Sequence, residues 1–275
     1  MRVDFIIGRM DMNRQTRLIA GFAALLLTAP ASALAHMPYV LPGQFELTGR
    51  DHVTLTASFA EDAFVPEVVM KSDAWSVRGP DGAAPIAKVT YLRDLTVFEV
   101  DTPRNGAYRI SSGERTGRVG KMYKAADGQW TMVGEGGPAP AGAETVDVQS
   151  MTVAEVYVSK GEPTDDVLSA TGKGLELRPI THPNRIFAGE AARFELLFDG
   201  RPLAGARVEI YRSAGLYDGR KALEPVTTDA AGRFALTAPD AGTYMTLVRH
   251  RATAPAGSPT PFRSYSHTLT FEATQ

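Results

Sequence analysis

The sequence contains no cysteine. Disulfides, thiolate metal sites, cysteine nucleophiles and a lipid-modified cysteine are therefore excluded, and packing alone must hold the fold together. There is no excess of positive charge either: 29 Lys and Arg stand against 31 Asp and Glu, a formal net charge of −2. Nothing in that balance would neutralise a phosphate backbone, so nucleic acid is not an expected partner. Long apolar runs are missing as well. The longest, residues 18–28 (LIAGFAALLLT), is too short to span a bilayer comfortably. Histidine is scarce, with five in 275 residues, which excludes a histidine-rich metal store. Enzyme signatures are absent too: no Walker loop, no dinucleotide-binding glycine fingerprint, no Gly-x-Ser-x-Gly elbow and no His-Glu-x-x-His. The glycines of residues 113–120 (GERTGRVG) are wrongly spaced for a phosphate cradle and predict a loop. With no catalytic constellation, the chain is not expected to be an enzyme.

What is present begins with an export signal. Arg14 and Arg17 precede the apolar run, and Ala33-Leu34-Ala35 follows it in the small-x-small pattern that a signal peptidase cuts. Residues 1–35 thus read as a cleaved signal peptide. Met10 or Met12 serves as well as Met1 for a start, because MNRQTR is a complete basic n-region. Cleavage removes four arginines and two aspartates, leaves a chain that begins at His36, and predicts a mature protein in the bacterial periplasm.

Beyond residue 36 the dominant pattern is alternation. In residues 52–59, Val53, Leu55, Ala57 and Phe59 share one face, as in a half-buried strand. Further strands are expected at 75–78, 89–92, 95–100, 107–111, 146–150 and 154–158. A hairpin is expected where 121–123 and 130–133 flank Asp127-Gly128. Residues 134–143 (GEGGPAPAGA) form a surface loop, and the polar stretch 159–173 is the candidate domain boundary. After it, 175–180, 191–198, 206–211, 233–236, 243–248 and 266–272 read as short strands separated by Asp-Gly and Ala-Gly turns. The expected fold is all-β: two β-sandwich domains, 36–160 and 175–275, the second immunoglobulin-like or transthyretin-like.

The residue most informative about chemistry is His36. Once exposed, its α-amine, with a reference pKa near ~7.7, and its imidazole can chelate one ion. Nitrogen donors of this kind suit a divalent transition metal: Ni(II), Co(II), Cu(II) or Zn(II). Met37 next to it offers a thioether for Cu(I). Two ligands are too few, so others must come from elsewhere. His250 and His267 end and begin adjacent predicted strands and so fall near one another; His182 lies in a turn before a strand; His52, at a strand start, is the weakest candidate. Trp75, Tyr123 and Trp130 read as core or cross-strand aromatics, and Arg115, Arg118, Lys121 and Lys124 as a solvated edge.

The stretch LELRPITHPN (175–184), the run FELLFDGRPLAGA (194–206), TDAAGRF (228–234), AGTY (241–244) and TLTFE (268–272), with Ala35-His36 at the end of the leader, resemble the DUF4198 family. The resemblance spans nearly the whole mature chain. It implies periplasmic handling of a transition metal, linked to nickel or cobalt uptake, with a membrane metal transporter or outer-membrane receptor as partner, and it carries over to His36 alone. A protein- or glycan-binding envelope module is the rival expectation. A copper oxidase of the histidine-brace type is a second, and needs another histidine beside His36.

Overall fold

The computed structural model describes residues 36–126, 128, 130–134 and 138–275. The expected signal peptide lies outside the described residues. The described residues pack as one compact unit.

The fold is all-β and has three layers. The first sheet runs β1 (Met37–Pro42), β2 (His52–Ala60), β7 (Thr96–Asp101), β6 (Val89–Tyr91), with β3 (Val68–Val69) on β2. The central sheet has ten strands. Its main path is β16 (Val226–Thr227), β15 (Arg207–Arg212), β18 (Gly242–Thr253), β19 (Phe262–Ala273), β11 (Thr145–Lys160), β8 (Gly106–Ser111), β4 (Ser76–Gly79) and β5 (Gly82–Pro85). The hairpin of β9 (Arg115–Lys124) and β10 (Trp130–Met132) adds to β11. The third sheet joins β12 (Leu175–Pro179), β13 (Ala191–Phe198), β14 (Arg201–Pro202) and β17 (Arg233–Thr237). Among the described residues no helix is long and apolar enough to cross a membrane.

Side-chain alternation explains the layering. On β11, Ala154, Val156 and Val158 face the first sheet and pack with Val53, Leu55 and Phe98, whereas Met151 and Tyr157 join the core on the other side. β18 divides likewise: Tyr244 and Val248 enter the core with the third sheet, while Met245 and Leu247 pack with Met37 and Tyr39. The two expected sandwiches therefore share the central sheet as a common wall. β11 and β19 pair in parallel from Val148↔Phe262 to Val156↔Thr270. Parallel neighbours need a long crossover, and here the whole C-terminal sandwich is that crossover.

Two sequence expectations change. Residues 113–120 are mostly strand rather than loop, since β9 begins at Arg115. The glycines serve packing: a Cβ on Gly117 would crowd Ser150 at 3.1 Å, and one on Gly120 would meet the end of Met132 at 2.7 Å. The two expected strands at 146–150 and 154–158 are one, β11, with a bulge between Gln149 and Met151 that breaks the alternation.

Phe194 sits at the centre of the C-terminal core, fully buried, with its ring 5.3 Å from Phe234 and 6.4 Å from Phe271. Replacing Phe194 by alanine is expected to cost about 3–5 kcal/mol, measured by urea unfolding. A cost below about 1 kcal/mol would show that this core is not packed as described.

Candidate functional site

β1 and β2 pair antiparallel, ending at Met37↔Ala60. One step further along that register sets His36 opposite Glu61, on the face opposite to Met37. β3 pairs with the same end of β2, at Phe59↔Val68, which brings in Glu67. The Glu67 N–H donates to the Phe59 carbonyl at 3.1 Å, and the Glu67 carboxylate turns back to accept from the Glu61 N–H at 3.1 Å. His36 Nε2 lies 3.3 Å from Glu67 Oε2. One donor atom from each of His36, Glu61 and Glu67 falls within 4.8 Å of the others, and all three residues are solvent-accessible. An imidazole nitrogen and two carboxylate oxygens at this spacing can hold a divalent ion. Beside them Asp62 is engaged by Lys221 at 2.6 Å, which ties the 61–67 loop to the segment after β15.

The other histidines lie elsewhere, and alternation is the reason. His250 and His267 fall on neighbouring strands, with registers His250↔Tyr265 and Val248↔His267, so they do share a face. That face carries Tyr265, Leu269 and Val248 into the core with the third sheet, on the side of the central sheet away from β1. His250 rests edge-on against Phe198, ring centroids 4.7 Å apart. His267, 1% exposed, has Nε2 3.5 Å from Glu155 Oε2. Both lie mid-strand, because β18 and β19 run past the expected ends. His182 caps the 3-10 turn Pro183–Arg185, its Nδ1 accepting from the Asn184 N–H at 3.1 Å, and packs edge-on to Tyr157. None of the three reaches His36, so the expectation that His250 or His267 completes its site is corrected: Glu61 and Glu67 are the residues beside it. Met37 is corrected too. It is 1% exposed in the core with Tyr211 and Met245, so its thioether does not face the cluster. His52 pairs with Asp51 at 2.9 Å on the surface.

Glu61 and Glu67 escaped the sequence reading because only the pairing of β1 brings them to His36. β1 itself (MPYVLP) carries two prolines and is buried along almost its whole length, so it shows no alternation.

His182 and His250 have a consequence for stability. Burial pushes both imidazoles below the ordinary histidine value, and Arg251 adds to this at His250. As pH falls through about 6.5 the unfolded chain takes up protons that the folded chain refuses, so stability drops below that pH. We expect the melting temperature to fall between pH 7 and pH 5. The fall should be smaller in His250→Phe, whose ring keeps the contact with Phe198; an unchanged pH slope would count against the assignment.

No curated protein matches the chain. Solved structures similar to it include the D0-D1 domain of intimin: 10% identity, TM-score 0.22, covering 86% of this chain and 97% of that one. Another is the Yersinia pseudotuberculosis adhesin InvE: 13% identity, TM-score 0.20, covering 85% of this chain and 58% of that one. A third is trypsin-activated alpha-2-macroglobulin from Escherichia coli: 10% identity, TM-score 0.20, covering 88% of this chain and 16% of that one. At these TM-scores the neighbours carry no argument about this chain. The sequence pattern of DUF4198, described as a domain of unknown function, matches residues 33–252, and the chain belongs to that family.

Proposed function

We propose that this protein binds a divalent transition metal at the start of its mature chain, through the imidazole of His36 and the carboxylates of Glu61 and Glu67. The observation that carries the proposal is the meeting of those three donors within 4.8 Å at one end of the first sheet. Cleavage after Ala35 adds the α-amine of His36 as a fourth donor, which closes a chelate with Nδ1 of the same ring once the imidazole turns from its Nε2 contact with Glu67. Two nitrogens and two oxygens favour Ni(II), Co(II), Cu(II) or Zn(II). Cu(I), which prefers soft sulfur, is disfavoured because Met37 is buried and the sequence has no cysteine. The exposed position of the cluster suits capture and release, and we place the protein in the periplasm as an accessory that exchanges its ion with a membrane transporter or outer-membrane receptor. The role is non-catalytic. Among the described residues, carboxylates rather than a second imidazole stand beside His36, which favours metal carriage over histidine-brace oxidation.

Two forms of the protein test this by calorimetry: one starting at His36 and one with a single alanine placed before it. Ni(II), Co(II) and Cu(II) are titrated into each. The first form should bind one equivalent of at least one metal at least about tenfold more tightly, because the added residue moves the amine away from the imidazole. Equal affinities would show that the terminus is incidental. Binding to the first form should also weaken from pH 7 to pH 5, since protons compete for the donor atoms.

A further inference from the structure

On the far side of the central sheet is a cleft of about 620 Å³ that the metal proposal does not use. Strands β4, β8, β11 and β19 form its floor, and the segment 171–176 overhangs it. This is the size of an ordinary small-molecule site. A row of charged and polar side chains crosses the floor where the flanking core is apolar: Arg109 on β8, Glu155 on β11 and His267 on β19. Arg109 and Glu155 form a bidentate pair at 2.8–3.1 Å, and Arg109 Nη1 also donates to the Ser169 carbonyl at 3.1 Å. His267 is different. It is almost wholly buried and lines the cleft; its Nε2 faces Glu155 Oε2 at 3.5 Å, but its Nδ1 has no partner. Burying a polar group without a partner is costly, and such a group beside a cavity points to a missing ligand.

The remaining groups indicate the ligand's charge. Two of the acids are already occupied. Glu176 accepts from the N–H groups of Thr171, Gly172 and Lys173 and from the Thr171 hydroxyl, and Asp199 accepts from the Gly174 N–H. Glu114 also lines the space, and burial pushes its carboxyl up, against the opposing pull of Arg263. The cations Arg78, Lys173 and Arg263 face the same space, and Arg263 Nε is buried without a partner. The formal charges lining the cleft balance, with Arg78, Arg109, Lys173 and Arg263 set against Glu114, Glu155, Glu176 and Asp199. Among the described residues, however, the side-chain donors of Arg78, Lys173 and Arg263 are not spent on hydrogen bonds, so the unspent capacity of the cleft lies in donors.

We propose that this cleft binds a small organic anion bearing carboxylates, with Arg263 and Lys173 pairing its charge and His267 presenting its unpartnered Nδ1 from below. The buried Arg109–Glu155 pair is a positioning element: it fixes the floor on which His267 stands.

The test uses metal-free protein starting at His36, with succinate, citrate, glutamate and inorganic phosphate as separate probes. Binding is followed by calorimetry and by the imidazole ¹⁵N signals. At least one carboxylate should bind with a Kd of about 1 mM or tighter and should move the His267 signals. Arg263→Gln with Lys173→Gln should weaken it at least about tenfold while the protein keeps its melting temperature. His36→Ala should leave the affinity unchanged, which separates this site from the metal cluster. No carboxylate binding up to about 10 mM, binding of phosphate alone, or equal affinity in the double variant would each overturn the proposal.

Discussion

Replacing Arg109 by leucine should lower the melting temperature by about 10 °C. Arg109 and Glu155 have side chains 10% and 4% exposed, and they meet through both carboxylate oxygens. Burial alone would push the Glu155 carboxyl up; Arg109, with His267 beside it, wins and holds it well below the usual carboxylate range. Removing the guanidinium strands that buried charge. Breaking such a pair costs about 3–5 kcal/mol, and in a domain of this size each kcal/mol moves the melting temperature by roughly 2–4 °C. Glu155→Leu should cost a similar amount by stranding Arg109. The double variant Arg109→Leu/Glu155→Leu should be more stable than either single one, because no charge is left unpaired. Additive losses would mean that the two residues act separately. The pH dependence follows the same logic. A depressed carboxylate contributes stability that is complete above about pH 4.3 and is lost as pH falls toward its folded-state value, so the stability of the wild type relative to the double variant should fall in acid.

The second large effect concerns the metal. Glu67→Gln and Glu61→Gln should each weaken Ni(II) or Co(II) binding by about tenfold or more, and together should nearly abolish it. The glutamine at 67 retains an oxygen that can accept from the Glu61 N–H, so the loop between β2 and β3 should survive and unfolding curves should coincide with wild type. If both variants bind like wild type, the carboxylates are surface charges with no part in metal capture. Reduced stability in parallel with reduced binding would place their role in the loop instead.

Much of the fold is legible in the sequence because single-faced strands alternate. β2, β13, β15 and β17 stand where Val53, Phe194, Val208 and Phe234 recur every second residue, and the Asp199-Gly200 turn lies where β13 ends. The reading weakens where strands are buried on both faces or pair far along the chain. β1 has no alternation to detect, β11 is interrupted by its bulge, and the parallel pairing of β11 with β19 joins segments about a hundred residues apart. The candidate site divides in the same way. His36 is marked by the expected cleavage site before it, but Glu61 and Glu67 are unremarkable loop acids until β1 lies against β2. The remaining histidines misled because proximity of strand ends says nothing about which face of a sheet an imidazole takes. His250 and His267 share a face, as adjacent strands suggest, yet a full sheet separates them from His36.

The central claim, a metal held at His36 with Glu61 and Glu67, is tested most directly by following all five histidines at once. Protein starting at His36 and labelled with ¹⁵N is titrated with Zn(II), which is diamagnetic, and the imidazole signals are read at each step. The site described here predicts that the first equivalent shifts the His36 ring nitrogens and leaves those of His182, His250 and His267 in place. A titration in which His36 stays unmoved while a buried histidine shifts, or in which none responds, would contradict it.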